Sequence, residues 1–165
     1  MPVGDFGLPL TLEEDCLAIP PIRLLVVDES EPFRRTILTI LRHKIDLRTI
    51  IEASDGLEAI ELARALQPEL ILLDIELPKR NGIEATRQIR ELAPLSKILV
   101  ISHEVSIDMV QAVFSAGASG YLVKIDVGSE LLPAVKAILN GERFVGLRFA
   151  GHDFTGPSDA RTPEG

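Results

Sequence analysis

Five short aliphatic runs, each followed by a segment of helical period, constrain this chain more than any other feature of its sequence. The runs are IRLLVVD from Ile22, LRTIIEA from Leu47, ELILLD from Glu69, SKILVIS from Ser96 and GYLVK from Gly120. Within them RLLVV, LILL and KILVI show no alternation of apolar and polar residues. Strands of that kind are buried on both faces, as in the middle of a parallel sheet with helices on either side.

The intervening segments supply those helices. EPFRRTILTILRHK places Phe33, Ile37, Ile40 and Leu41 on one stripe, with Pro32 near the first turn, where its missing N–H costs nothing. GLEAIELARALQ aligns Leu57, Ile60, Leu62 and Ala63 and stops at Pro68. GIEATRQIREL, SIDMVQAVFSAG and SELLPAVKAILNG complete a five-fold βα repeat. The last two end on Gly117 and Gly141 as cap glycines, and Pro133 is expected in the first turn of the last. The fold class is therefore α/β with a parallel sheet. Residues 1–20 lack periodicity and are expected to be an N-terminal arm, residues 21–145 the domain, and residues 146–165, rich in Gly, Pro, Ser and Thr, a flexible tail.

Bulk properties narrow the function classes. A chain of 165 residues that is 46% apolar has room for one domain with a full core. Its net charge of -8 and the lack of a basic block argue against nucleic-acid backbone binding as the main role, and no direct nucleic-acid binding by this chain is expected. The single cysteine, Cys16, excludes an internal disulfide and a multi-cysteine metal site. With no leader-like segment and no long apolar stretch, a cytoplasmic protein with no membrane association is expected.

Ligands of an open parallel sheet bind beyond the carboxyl ends of its strands. There the first strand delivers Asp28 and Glu29, the third Asp74, the fourth Ser102 and the fifth Lys124, while the second ends in Ala53–Ser54 with nothing ionic. Each acid alone reads as a strand-end turn residue; together they read as a site. Three carboxylates at one edge repel and call for a cation, and Mg²⁺ is bound by such small carboxylate sets. Lys124 adds a point charge suited to phosphate, and Ser102 a hydroxyl donor. A carboxylate can attack phosphorus, and Asp74, alone on a central strand, is the best nucleophile.

LLVVDES, LILLDIELPKRNGIEATRQIR, VIS and SAGASGYLVK, in this order, resemble the receiver domain of bacterial response regulators over about residues 22–145. The resemblance implies a flavodoxin-like doubly wound (βα)5 sandwich, its five strands in the order 2-1-3-4-5. It implies that Asp74 is the phosphoacceptor of a two-component phosphorelay, phosphorylated from a histidine kinase or phosphotransfer protein with Mg²⁺ or Mn²⁺. Glu29 would bind the metal directly, Asp28 through water, and the Glu76 backbone carbonyl would be a further ligand. Ser102 would turn toward the phosphoryl group, Lys124 would pair with it, and Tyr121 would be the switch aromatic that moves inward with Ser102. Such a protein is no enzyme beyond its own phosphoryl transfer and dephosphorylation.

AGASGYLVKIDVGSELLPAVKAILNGERFVG further resembles the receivers that usually precede a LuxR/NarL-type helix-turn-helix. Only some twenty residues follow and they are not helical in pattern, so that domain is not expected in this chain. Three features depart from the family pattern. Ile125 stands where a cis proline is common, His103 places a ring where a small residue is usual and would slow phosphoryl turnover, and Glu76 and Glu104 add acidity. A receiver that acts only as a phosphorylation-independent docking module is the alternative. A haloacid-dehalogenase-like phosphatase would need a second Asp where Ser30 stands. Homodimer formation stays open, with the outer faces of the fourth and fifth helices as the candidate surfaces.

Overall fold

The computed structural model describes residues 20–79 and 81–152; the expected arm with Cys16, and residues 153–165 of the expected tail, lie outside the described residues. In chain order the elements are β1 (Ile22–Val27), α1 (Glu31–Leu41), β2 (Leu47–Ala53), α2 (Gly56–Leu66), β3 (Leu70–Asp74), α3 (Gly82–Leu92), β4 (Lys97–Ser102) and α4 (Ile107–Ala116). Then come β5 (Gly120–Val123), a 3-10 turn (Lys124–Asp126), α5 (Val127–Leu139), β6 (Phe144–Val145) and a second 3-10 turn (Leu147–Phe149). The strands form one sheet in the order β2-β1-β3-β4-β5-β6, every pair parallel. The expected order therefore holds, extended by one short strand.

The uninterrupted aliphatic runs feed two cores in alternation, because successive side chains of a strand point to opposite faces. Leu25, Val27, Ile71, Leu73, Ile98, Val100, Tyr121 and Val123 face α2, α3 and α4. Leu24, Val26, Leu70, Leu72, Leu99, Ile101 and Leu122 face α1 and α5. All five residues of β3 are buried, which makes it the centre of the sandwich.

Local chemistry sets where the helices start. Ser30, Asp55, Asn81 and Ser106 cap α1 to α4, each side-chain oxygen accepting the N–H three residues on, at Phe33, Glu58, Glu84 and Met109. Gly117, with φ at 111°, closes α4 in the left-handed conformation that glycine tolerates. Helix α5 starts at Val127, where the Lys124–Asp126 turn runs straight into it. Pro133 consequently lies in the helix interior, not in the first turn, and it faces solvent. The tail expected from residue 146 is also corrected: Gly146–Phe149 turn back onto the domain, and Phe149 is 3% exposed. An isolated aromatic among glycines carries no periodicity, so the sequence pattern could not mark it. No described helix is long and apolar enough to cross a membrane.

Candidate functional site

β3 pairs with both β1 and β4, with Val27 level with Leu73 and Asp74 level with Ile101. Asp28, one residue beyond Val27, therefore arrives beside Asp74 at the carboxyl edge, with Ser102 one residue past Ile101. Lys124, just after β5, reaches back across β4 to both acids. Its Nζ lies 2.8 Å from Asp28 Oδ2 and 3.3 Å from Asp74 Oδ2, with side-chain exposures of only 10%, 4% and 5% for the three residues.

Each acid has one oxygen fixed by the backbone. Asp28 Oδ1 accepts the Ser30 N–H at 2.8 Å, and Asp74 Oδ1 accepts the Glu76 N–H at 3.2 Å. The outer oxygens differ. Asp74 Oδ2 accepts a hydrogen bond from Lys124, whereas Asp28 Oδ2 touches the same ammonium without an aligned hydrogen bond and is otherwise unpartnered and buried. Burial, reinforced by the neighbouring Asp28 charge, holds the Asp74 carboxyl above the usual carboxylate range, against the pull of Lys124 and the Glu76 N–H. Burial alone would lower the Lys124 ammonium; the two carboxylates outweigh it and hold it above the usual lysine value.

Two residues that the sequence reading did not place at the site support it. Lys124 Nζ sits 4.6 Å from the centroid of the Phe33 ring, so an aromatic face covers the ammonium from the first turn of α1. Arg34 Nη1 donates to the Asp28 carbonyl at 2.5 Å while its Nε donates to Glu52 at 2.7 Å, pinning the loop after β1. Phe33 had a helix-stripe signature only, and nothing local marks Arg34.

The loop after β3 is shaped by Gly82. Its N–H donates to the Ile75 carbonyl at 2.7 Å, and a Cβ there would fall 2.4 Å from Ile75 Cα and 2.5 Å from the Asp74 carbonyl oxygen. Only glycine lets α3 start this close to the residue that follows Asp74.

Ser102, fully buried, accepts the Glu104 N–H at 3.0 Å, and the Tyr121 hydroxyl donates to the Glu104 carbonyl at 2.7 Å. Tyr121 is itself fully buried. Burial pushes its hydroxyl up, with the nearby Ser102 hydroxyl opposing and the Glu104 and Glu76 charges adding.

The structure thus brings Asp28, Asp74 and Lys124 into contact and ties Ser102 to Tyr121 through Glu104. Glu29, on the turn that Asp28 caps, takes no part in that ion-paired contact and is exposed, and the Glu76 residue is exposed too. Among the described residues no three His, Cys, Asp or Glu side chains gather closely enough to hold a metal ion. His103 and Ile125 are exposed, and no described peptide bond is cis.

Comparison with known proteins agrees with this edge chemistry. The family model described as response regulator receiver domain matches residues 24–136. The transcriptional regulatory protein LiaR of Bacillus subtilis (strain 168) is 39% identical over 131 residues, 79% of this chain and 62% of the relative. DegU of Brevibacillus brevis is 35% identical over 124 residues, 75% of this chain and 52% of the relative. The chain thus spans less than two thirds of the length of these relatives. Among solved structures, a LuxR-family two-component response regulator from Aurantimonas sp. SI85-9A1 superposes with a TM-score of 0.75 at 30% identity, covering 86% of this chain and 98% of the other. The signal receiver domain of the putative response regulator NarL from Mycobacterium tuberculosis gives 0.69 at 28% identity, covering 74% and 98%. The matched span takes in Asp28, Asp74, Ser102, Tyr121 and Lys124, and this chain belongs to the response regulator receiver domain family.

Proposed function

We propose that the chain is a phosphoacceptor switch of a two-component phosphorelay, taking a phosphoryl group on Asp74 from a histidine kinase or phosphotransfer protein. The observation that carries this reading is the buried Asp74 carboxylate, which shares a single ammonium, that of Lys124, with a second buried carboxylate, Asp28. A carboxyl group so placed is costly to a fold, and structural packing gives no reason to keep it there.

In the transfer, an Asp74 oxygen bonds to phosphorus as the donor's histidine N–P bond breaks, and the freed imidazole takes up a proton. Lys124 orients the attacking carboxylate and balances the charge that spreads over the phosphoryl oxygens. Ser102 Oγ only accepts from the Glu104 N–H, so its own hydrogen is left to donate to one of those oxygens. The phosphoryl group, carrying about -1.5 to -2 in place of the single charge of the carboxylate, then favours one arrangement of the loop that carries Ser102, a shift of population between two surfaces.

Two buried carboxylates against one ammonium, with Asp28 Oδ2 lacking an aligned hydrogen bond, fit a hard divalent cation with oxygen ligands. Asp28 and Asp74 would hold Mg²⁺ or Mn²⁺, with Glu29 and the Glu76 carbonyl as further donors. Bound there, the ion supplies charge neutralisation to the transferring group.

The test is intact mass after incubation with a small acyl phosphate and Mg²⁺. One phosphate adduct on the native chain, absent from Asp74→Asn, is expected. No adduct from the acyl phosphate or from a kinase would favour the docking module, and sustained hydrolysis of phosphate esters would favour a phosphatase.

A further inference from the structure

Phe144 and Val145 add a parallel strand beside β5, and the chain then doubles over Tyr121. Four successive residues are tied down. The Gly146 N–H donates to the Tyr121 carbonyl at 3.1 Å. The Leu147 N–H is shared by both carboxylate oxygens of buried Glu130 on α5, at 3.3 Å each. Arg148 forks onto Asp126, Nε at 2.6 Å and Nη2 at 3.2 Å, in the turn that Lys124 begins. The Phe149 ring stands edge-on to the Tyr121 ring at 5.7 Å and 82°.

We propose that residues 144–149 form a strap that holds Tyr121 in its buried position, which makes Phe149 a positioning residue for phosphoryl chemistry at Asp74. The effect on phosphoryl transfer rests on the reading of Asp74 as phosphoacceptor; the effect on Tyr121 does not.

The energetics favour a closed strap. Lifting it strips a donor from the buried Glu130 carboxylate, which is costly, and opens an apolar void against the Tyr121 ring. A freed Tyr121 loses its reason to stay inside. With it goes the phenol bond to the Glu104 carbonyl, and the loop that carries Ser102 is no longer held from both ends. Preorganised donors are then lost from the place where phosphoryl charge develops. Coupling of this kind is reciprocal: a pull on the chain beyond Phe149 loosens Tyr121, and whatever fixes Tyr121 tightens the strap.

The chain has one tyrosine and no tryptophan, so its ultraviolet emission reports Tyr121 alone. Acrylamide quenching of the full chain therefore reads the strap directly. Phe149→Ala should raise the quenching constant severalfold and Phe149→Leu by less. Leu147→Pro removes one N–H at a position whose preceding residue, Gly146 with φ -60° and ψ 157°, accepts a following proline, and should fall between native and Phe149→Ala. Labelling of Asp74 by a small acyl phosphate should slow in the same order, by about fivefold for Phe149→Ala. Far-UV circular dichroism confirms that each variant is folded; if Phe149→Ala is not, the other two decide.

Unchanged quenching in the folded variants overturns the strap. Raised quenching with unchanged labelling rates overturns its positioning role. A native chain that is never labelled overturns the phosphoacceptor reading, and the quenching order alone then decides whether the strap holds Tyr121.

Discussion

Replacing Lys124 with methionine keeps the apolar stem that packs under Phe33 and removes only the charge between Asp28 and Asp74. Both outer carboxylate oxygens touch the same ammonium. They are therefore within roughly 6 Å of each other, where two like charges cost about 3 kcal/mol at an effective dielectric of about 20. Breaking a buried pair from one side costs about 3–5 kcal/mol in general, and partial protonation of Asp74 caps the loss here. A destabilisation of about 3 kcal/mol at pH 7 follows, read by urea unfolding with circular dichroism. The pH dependence has a definite sign. The Lys124 value is raised in the fold, so its contribution is complete below the ordinary lysine value and fades as pH climbs through the raised one. In the variant the already raised Asp74 value rises further, so the variant regains stability as pH falls from 7 toward 5, and the gap to native narrows. Adding Asp28→Asn should restore most of the loss at pH 7. A variant within about 0.5 kcal/mol of native, the scale of ordinary surface substitutions, or a gap that does not change with pH, would refute the electrostatic reading of the site.

Asp74→Asn should be more stable than native at neutral pH: the native acid's contribution is complete below its unfolded value and is lost as pH rises through the raised folded one, so the advantage shrinks in acid, as thermal melts across pH will show. Gly82→Ala drives a methyl into the Ile75 and Asp74 backbone and should cost about 2–3 kcal/mol in urea, with slower labelling of Asp74. Phe33→Leu should cost about 1 kcal/mol more with Lys124 present than when Lys124 is already methionine, a coupling that a double-mutant cycle isolates.

The layers of the fold were legible because burial on both faces writes itself into sequence: RLLVV and LILL can belong only to the middle of a sheet covered on both sides. The position of Asp28, Asp74 and Lys124 followed from the same logic, since strand ends in such a sheet converge on one edge. Contacts between distant segments were not legible. Phe33 over Lys124, Arg34 on the Asp28 carbonyl and Phe149 against Tyr121 each depend on how two elements dock, which no local pattern encodes. The two-residue β6 is too short for any period to register.

The central proposal, that Asp74 accepts a phosphoryl group, is tested most directly by trapping the acyl phosphate. Borohydride reduces an aspartyl phosphate to homoserine, and peptide mapping of the native chain treated with a small acyl phosphate and Mg²⁺ then reads the modified position. Homoserine at position 74, and at no other acid, is the expected result. Homoserine at Asp28 or Glu29 with position 74 intact, or none anywhere in a chain that carries a phosphate adduct, would contradict it.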